Sequence, residues 1–388
     1  MAGMSAAQIQ AADSAFYAAA VRRSVKLSPI QVTSGDVVTV TMPHAGIGTY
    51  ALMTFVGTLS RTEGATVGTV NTSPNGPWNV FQNLSFTDYA GLTRLGNLSG
   101  ALLNLRRRIL TPRFDTQLST PGSPNGELTS LTDYAYSIPA GTASSTTTST
   151  LVTTVLVPFS MAHNSVKGSF PFTVPNGSSN LTFTIQPTIS MVGSGTTPDP
   201  QNIALIPNVS GATTSVSVSG TINITYYYYD APTGTPSPVG ELSEVYELVN
   251  VRDSTNLTAG GTKQFVLQTG RTYYRIYQAL VLAGSLETSN LTELSFKIDS
   301  STPTTDEYIQ SYVNRMAQFY GQPLPDGRIV WDFSSQPWSP DSYGALETDL
   351  NISSTASVAA PAYLDTTREC LYVSQSAPNL VQSGSTAG

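Results

Sequence analysis

Charge is scarce in this chain. Only 11 % of its 388 residues are Asp, Glu, Lys or Arg. That is poor material for exposed helices laced with ion pairs, and less than the surface of a free monomer usually carries. Much of the surface is therefore polar without charge, or covered by partners. Cysteine occurs once, at Cys370, which excludes an intrachain disulfide and any cysteine-rich metal site. It sits in Glu369-Cys370-Leu371-Tyr372-Val373, which reads as a strand around a buried structural thiol. His44 and His163 are the two histidines. They cannot build a metal cluster, and each reads as a loop or core residue. No run of about 20 apolar residues exists, so no membrane-spanning helix is expected. The opening MAGMSAAQIQAAD lacks a basic start and places Asp13 where a secretory signal would be apolar. P-loop, dinucleotide and serine-elbow patterns are missing too. Gly193-x-Gly195 lies in a Pro/Thr-rich loop without the rest of a phosphate-binding pattern, and no cofactor is expected.

What is present favours β structure. Thr, Ser and Val abound and Tyr appears 19 times, which suits pleated, half-buried surfaces. The organising stretch runs from Val216 to Gly240. VSVSGTINITYYYYD alternates apolar and polar residues and ends in Tyr226, Tyr227, Tyr228 and Tyr229, a long half-buried strand with an aromatic terminus. APTGTPSPVG follows, with Pro232, Pro236 and Pro238, and reads as a linker. The expected division is a helical arm over 1–24, a first β unit over 25–230, the linker over 231–240, a second β unit over 241–375 and a flexible tail over 376–388.

Charge is uneven as well as sparse. Residues 1–120 hold nine Lys/Arg and five Asp/Glu, leaving nine against twenty for the remainder. The basic excess sits at Arg22, Arg23 and Lys26, and at Arg106, Arg107, Arg108 and Arg113. A net charge of −7 does not suit specific nucleic-acid recognition, which usually needs a basic domain. The three consecutive arginines are expected to reach solvent or a partner, because an unpaired charge is not buried cheaply.

Along the chain, residues 5–21 predict a helix with Ser5 and Gln8 as a capping box and Ile9, Ala12, Phe16, Ala19 and Ala20 on one stripe. It reads as an arm packed on its own barrel or on a neighbour, with an amphipathic membrane contact as the sharper alternative. Strands are expected at 25–32, 36–42, 50–59, 65–70, 151–158 and 181–185. The segment 92–110 suits either a helix or a buried strand. Segments 115–130, 175–177 and 193–200 are turn-rich. After the linker, strands are expected at 244–251, 263–267, 273–282, 293–298, 328–333 and 345–352, with more near Tyr363 and at 370–373. The best helix runs from Thr304 to Tyr320, with Thr304 and Glu307 as a capping box and Gly321 as its stop. Glu347 and Asp349 share one face of a strand. With Asp332 they offer a weak hydrolase reading, which needs a cleft. Trp338 and the four tyrosines offer a sugar-stacking surface. Unequal loops and no βα alternation favour two Greek-key sandwiches in series.

The second half resembles the double jelly-roll major capsid proteins of icosahedral double-stranded DNA viruses, of the tectivirus-like type with an internal membrane. The resemblance rests on the helix Thr304–Tyr320, then Gly327-Arg328-Ile329-Val330-Trp331-Asp332-Phe333, then Gln336-Pro337-Trp338, then the alternating strand 344–351. The first half resembles that family's first barrel more loosely. It lacks a clear helix at the corresponding place unless 92–105 or 78–89 fills it. The resemblance implies an all-β chain of two eight-stranded jelly rolls in tandem, with an N-terminal helix and a helix inserted in the second barrel. It implies no enzyme but a capsid subunit of the virion, assembled in the host cytoplasm. Such subunits form homotrimers that meet neighbouring trimers, with penton and minor capsid proteins as further partners and the arm near an internal membrane. Phe16, Arg22, Arg23, Arg106, Arg107, Arg108 and Tyr226–Tyr229 are the expected subunit or membrane contacts. Segments 115–150 and 190–215 are expected to be tower loops or clasps. The alternatives are a carbohydrate-binding or adhesive surface protein, and a minor spike or vertex protein of the same virion.

Overall fold

The computed structural model describes residues 4–70, 76–110, 134–169, 178–191, 209–210, 214–298, 302–321, 324–343 and 345–373. The expected turns at 121–126 and 175–177, the loop 193–200 and the tail 376–388 lie outside them.

Two long strands build the first half. Ile47–Glu63 and Thr214–Asp230 pair antiparallel from Thr214↔Glu63 to Tyr229↔Ile47. Alternation assigns their faces: Ala51, Met53, Phe55 and Leu59 are buried from one, and Val216, Val218, Ile222, Ile224 and Tyr226 from the other. Thr146–Pro158 adds to the outer edge of Ile47–Glu63. Val21–Lys26, Ile30–Thr33 and Ile189–Met191 add to Thr214–Asp230. This sheet faces a second one made of Val37–Thr41, Asn180–Ile185, Phe81–Thr87 and Thr93–Leu98, whose inner side chains include Val40, Phe183, Phe86 and Leu95.

The second sheet does not stop there. Leu95 and Gly96 pair in parallel with Leu248 and Val249, so Val245–Asp253 continues it. Tyr363–Tyr372, Thr272–Val281 and Arg328–Asp332 complete an eight-stranded sheet that runs through both halves of the chain. Its far half faces a four-stranded sheet of Thr262–Val266, Leu346–Ile352, Leu291–Ile298 and Thr302–Tyr308. Leu280, Leu294, Phe296, Trp331 and Leu350 fill the space between. The other face of that far half joins the first core, to which Tyr246, Leu248, Tyr277, Val330 and Leu371 belong. The fold is thus two jelly-roll sandwiches sharing one sheet.

Among the described residues, three helices of more than one turn decorate the sandwiches, beside a single turn at Pro340–Tyr343. Helix α1, Ala6–Ala19, has the expected capping box: Ser5 Oγ accepts from Gln8 N and Gln8 Oε1 accepts from Ser5 N. Helix α2, Gly100–Leu110, resolves the ambiguous segment. Thr93–Leu98 is strand and the leucines that follow are helical. Its first turn is capped from outside itself, by Ser99 Oγ on Leu102 N and Asn79 Oδ1 on Ala101 N. Helix α3, Ile309–Tyr320, ends at Gly321 with φ +71°.

The start of α3 corrects the sequence expectation. Thr304 and Glu307 do not cap a helix; they lie in Thr302–Tyr308, which pairs with Leu291–Ile298. The threonines favour strand, Pro303 is tolerated because the strand lies at the sheet's edge, and Glu307 instead takes the Arg315 guanidinium at 2.6 Å.

Candidate functional site

Two places gather side chains beyond what packing requires: the seam between the sandwiches and the aromatic end of the first one. At the seam, α2 lies on the first sandwich through Leu102, Leu103, Leu105 and Ile109. Arg106, four residues after Leu102 and three before Ile109, lies on that same buried face, where it reaches the second half. Its guanidinium meets Glu369 at 2.7 Å and also donates to the carbonyl of Met161 at 3.0 Å. Both ion-pair side chains are buried, with 4 % and 0 % of their surface exposed.

Glu369 takes four partners. Tyr246 and Tyr277 donate their hydroxyls at 3.2 and 2.8 Å, and Arg275 approaches at 3.4 Å. Arg275 in turn meets Asp332 at 3.3 Å, which accepts from the Tyr320 hydroxyl. Burial pushes the Glu369 carboxyl up, but Arg106, Arg275 and the Tyr277 hydroxyl outweigh it and hold the group below the usual carboxylate range. Burial drives the Tyr246 and Tyr277 phenols well above theirs. A negative charge is thus stable at the centre of the molecule, fed by cations from both halves.

At the other place, the four tyrosines divide. Tyr226 is fully buried, donates to the Ala45 carbonyl at 3.1 Å and stacks on Tyr228 at 5.3 Å. A register shift falls between Tyr227 and Tyr228. Tyr227 stacks on Tyr50 at 4.5 Å, and the Arg22 guanidinium lies over both rings. Tyr229 meets Phe16 and Tyr17 of α1 edge to face. Phe16 is buried with Ile47, Val166 and Leu242, and Asp13 accepts from the Gly240 amide at 3.1 Å. Helix α1 therefore packs on the end of the first sandwich and on the 231–240 connection at once. Its outward positions, Ala7, Gln10, Ala11, Ser14 and Ala18, are small or uncharged.

Several expected contact residues are consequently internal. Phe16, Tyr226 and Arg106 face this chain's own interior, so none offers an outer surface; Arg106 is buried because Glu369 supplies the anion that the sequence did not reveal. Arg22 and Arg23 are exposed, with Arg23 bonded to Asp230 at 3.1 Å. Arg107 and Arg108 are half-buried on α2. Cys370 is a buried free thiol that burial pushes up. Trp338 packs edge-on against Phe296 at 5.7 Å and is half-buried, a poor platform for a sugar. Glu347 and Asp349 share a face but are buried rather than solvated, and Lys297 bonds Asp349 at 2.5 Å. Asp332 belongs to the seam. These three carboxylates line none of the described cavities.

Sequence reasoning missed Glu369, Arg275, Tyr246 and Tyr277. The available signal was Glu369 itself, a charge embedded in a strand whose residues run from Tyr363 to Leu371 buried on both faces.

The fold defines a class, the double jelly roll. No family model and no curated protein sequence matches the chain. Solved structures do. The crystal structure of the major capsid protein of Sulfolobus Turreted Icosahedral Virus superposes with a TM-score of 0.61 at 14 % identity, covering 91 % of this chain and 97 % of that one. The atomic structure of the same virus gives 0.62 at 13 %, with 91 % of each chain covered. The quasi-atomic model of the PBCV-1 virus capsid gives 0.50 at 11 %, with 91 % and 93 % covered. At such identities the likeness is one of fold.

Proposed function

We propose that this chain is the major capsid protein of an icosahedral virus, acting as a wall element and not as an enzyme. The observation that carries the reading is the eight-stranded sheet through both sandwiches, reinforced by the Arg106–Glu369 pair. Together they make a chain of two sandwiches into one rigid block, which a shell needs and a pair of beads on a linker would not provide. The fold shared with the Sulfolobus Turreted Icosahedral Virus protein over nearly its whole length supports it.

In the finer reading the division is an arm at 1–24, whose last residues from Val21 on already pair in the first sheet, sandwiches at 25–230 and 241–375, and a tail at 376–388. Three chains form a six-sandwich block with a nearly hexagonal outline. These blocks meet one another, and penton and minor capsid proteins, in a shell assembled in the host cytoplasm. Low charge and exposed Tyr308 and Phe319, at 68 % and 70 %, suit lateral walls. Arg22, Arg23, Arg107, Arg108, Tyr227, Tyr228 and Tyr229 are the remaining candidates for contacts outside the chain. The arm lies near an internal membrane, with its alanine-rich face outward.

Light scattering of the purified chain tests the reading. Three copies of a 41.1 kDa chain give about 123 kDa, and electron images of that peak should show a hexagonal outline. A stable monomer at assembly concentrations would sink it.

A further inference from the structure

The seam inside the chain joins two sandwiches through one kind of contact. The first sandwich offers the edge strand Thr93–Leu98, followed after one residue by helix α2. The second accepts that edge on Val245–Asp253, in parallel at Leu95↔Leu248 and Gly96↔Val249. Arg106 of α2 then reaches Glu369, which pairs with the same Leu248. The second sandwich repeats the offering half. Thr302–Tyr308 ends its four-stranded sheet and leads straight into α3. The first sandwich repeats the accepting half. Val21–Lys26 ends its seven-stranded sheet and pairs antiparallel with Thr214–Asp230, as Val245–Asp253 pairs with Tyr363–Tyr372. Among the described strands, neither of these two edges has a second partner, and an edge of bare N–H and C=O groups is a template for one.

The two edges suit each other in charge. Arg22, Arg23 and Lys26 are exposed on Val21–Lys26, with Asp230 bonded to Arg23. Thr302–Tyr308 carries exposed Asp306 and half-buried Glu307. At the internal seam Leu95 and Leu248 both belong to the first core. The core side of the offering sheet thus continues onto the face of the accepting sheet that is turned away from its own core. Applied to the second pair of edges, this sets Glu307, which pairs with the core residue Leu294, on the side of Arg22 and Lys26. It sets Asp306 on the side of Arg23. Both edges also expose apolar surface: Tyr308 and Phe319 on one, and Val21, 55 % exposed, on the other. The exposed α3 positions Gln310, Ser311, Asn314 and Gln318 are uncharged. So is the outward row Ser217, Ser219, Thr221 and Asn223 on Thr214–Asp230 that would receive them.

We propose that copies of this chain join by repeating their own seam: the Thr302–Tyr308 edge and α3 of one copy dock on the Val21–Lys26 edge and the outward face of Thr214–Asp230 of the next. The offering and accepting edges lie on different sandwiches, so the contact is head to tail. A contact of that kind forms a closed ring when its rotation closes. Closure after three chains gives six sandwiches joined by alternating internal and external seams of one design. The inference rests on the shell reading and supplies the contact between copies within a block, with opposite charges fixing its orientation.

Charge reversal in the full-length chain tests this, with mass read by light scattering over a dilution series. The parent should hold the three-chain mass of about 123 kDa. Asp306→Lys alone, and Arg23→Glu together with Lys26→Glu, should each fall toward the 41.1 kDa single chain at concentrations about tenfold or more above those at which the parent dissociates. The chain carrying all three substitutions again sets opposite charges across the contact. It should regain association, a recovery that a variant damaged in its fold would not make. A trimeric parent whose reversed variants dissociate no sooner than it does overturns the inference and leaves the shell reading standing. A combined variant that recovers nothing does the same. A parent that is itself a stable monomer overturns both.

Discussion

At the base of the seam, Glu369 carries its charge with no exposure, and its neighbours explain why it stays ionised. Two guanidinium groups from different halves of the chain and two phenols point at its oxygens. Removing the anion while keeping the shape leaves Arg106 and Arg275 buried beside each other with Asp332 as the remaining counter-charge. Glu369→Gln is therefore expected to cost about 3–5 kcal/mol, the usual penalty for orphaning a buried charge, read as a lower denaturant midpoint with the slope unchanged. The same residue gives an acid limb to stability. Its folded value lies below the unfolded carboxyl value of about 4.3. The contribution is therefore full above that unfolded value and is lost as pH falls through the lower folded one. Denaturation curves at stepped acid pH should show this loss in the parent protein and a flatter profile in Glu369→Gln.

Among the elements, the pair of long strands sets the dimensions of the first sandwich, and at one position it sets glycine against glycine. Gly220 pairs with Gly57. A Cβ on Gly220 would sit 2.5 Å from the Val56 carbonyl oxygen and 2.6 Å from the Gly57 Cα. The Phe55 ring lies against both glycines, with its Cζ 2.9 and 3.0 Å from where their Cβ atoms would be. No side chain fits there without moving backbone. Gly220→Val is expected to destabilise by about 2 kcal/mol or more, toward the upper part of the range for overpacking. Asn223→Ala, three residues on and exposed, should stay within about 0.5 kcal/mol. Paired thermal melts of the two variants make the comparison, and equal midpoints would contradict the close approach. Helix α1 shows a different economy of contact. Phe16 alone is fully buried, yet through it and Asp13 the helix touches the tyrosine strand and the inter-sandwich connection together.

For the whole molecule, the decisive feature is that the division of the sequence is not a division of the core. Val330 and Leu371, far beyond the proline-rich connection, belong to the same buried cluster as Phe86 and Leu98, so the sandwiches are fixed relative to each other. Exposed apolar side chains on such a block are available for contacts between copies. Tyr308 precedes α3 and Phe319 lies in its last turn, and both contribute little to the interior. Replacing both with serine should leave the unfolding midpoint of the single chain nearly unchanged, within about 0.5 kcal/mol per site. Light scattering should show weaker self-association of the same protein. Undiminished self-association would remove this face from the proposed walls.

The sequence by itself determined the elements whose signal is local. Alternation marked the strand 214–230, Ser5 and Gln8 marked the start of α1, Gly321 marked the end of α3, and the prolines of 231–240 marked the connection. It also pointed to the double jelly roll through the order of helix, strand and loop after residue 300. It could not say what covers each face. Period-two alternation separates two sides of a strand without naming what packs on either, so the sharing of one sheet by both sandwiches was invisible. For the same reason Arg106 read as an outward charge: its partner lies 263 positions away. Glu307 read as a cap because Thr304-x-x-Glu307 before an apolar run carries the capping-box pattern, which does not reveal that the segment pairs with the strand 291–298 directly before it. Only the tertiary structure brought Arg106 to Glu369 and Arg22 to Tyr50 and Tyr227. An ion pair or a stacked ring is a property of two positions in space, whereas composition and periodicity describe one position and its immediate neighbours.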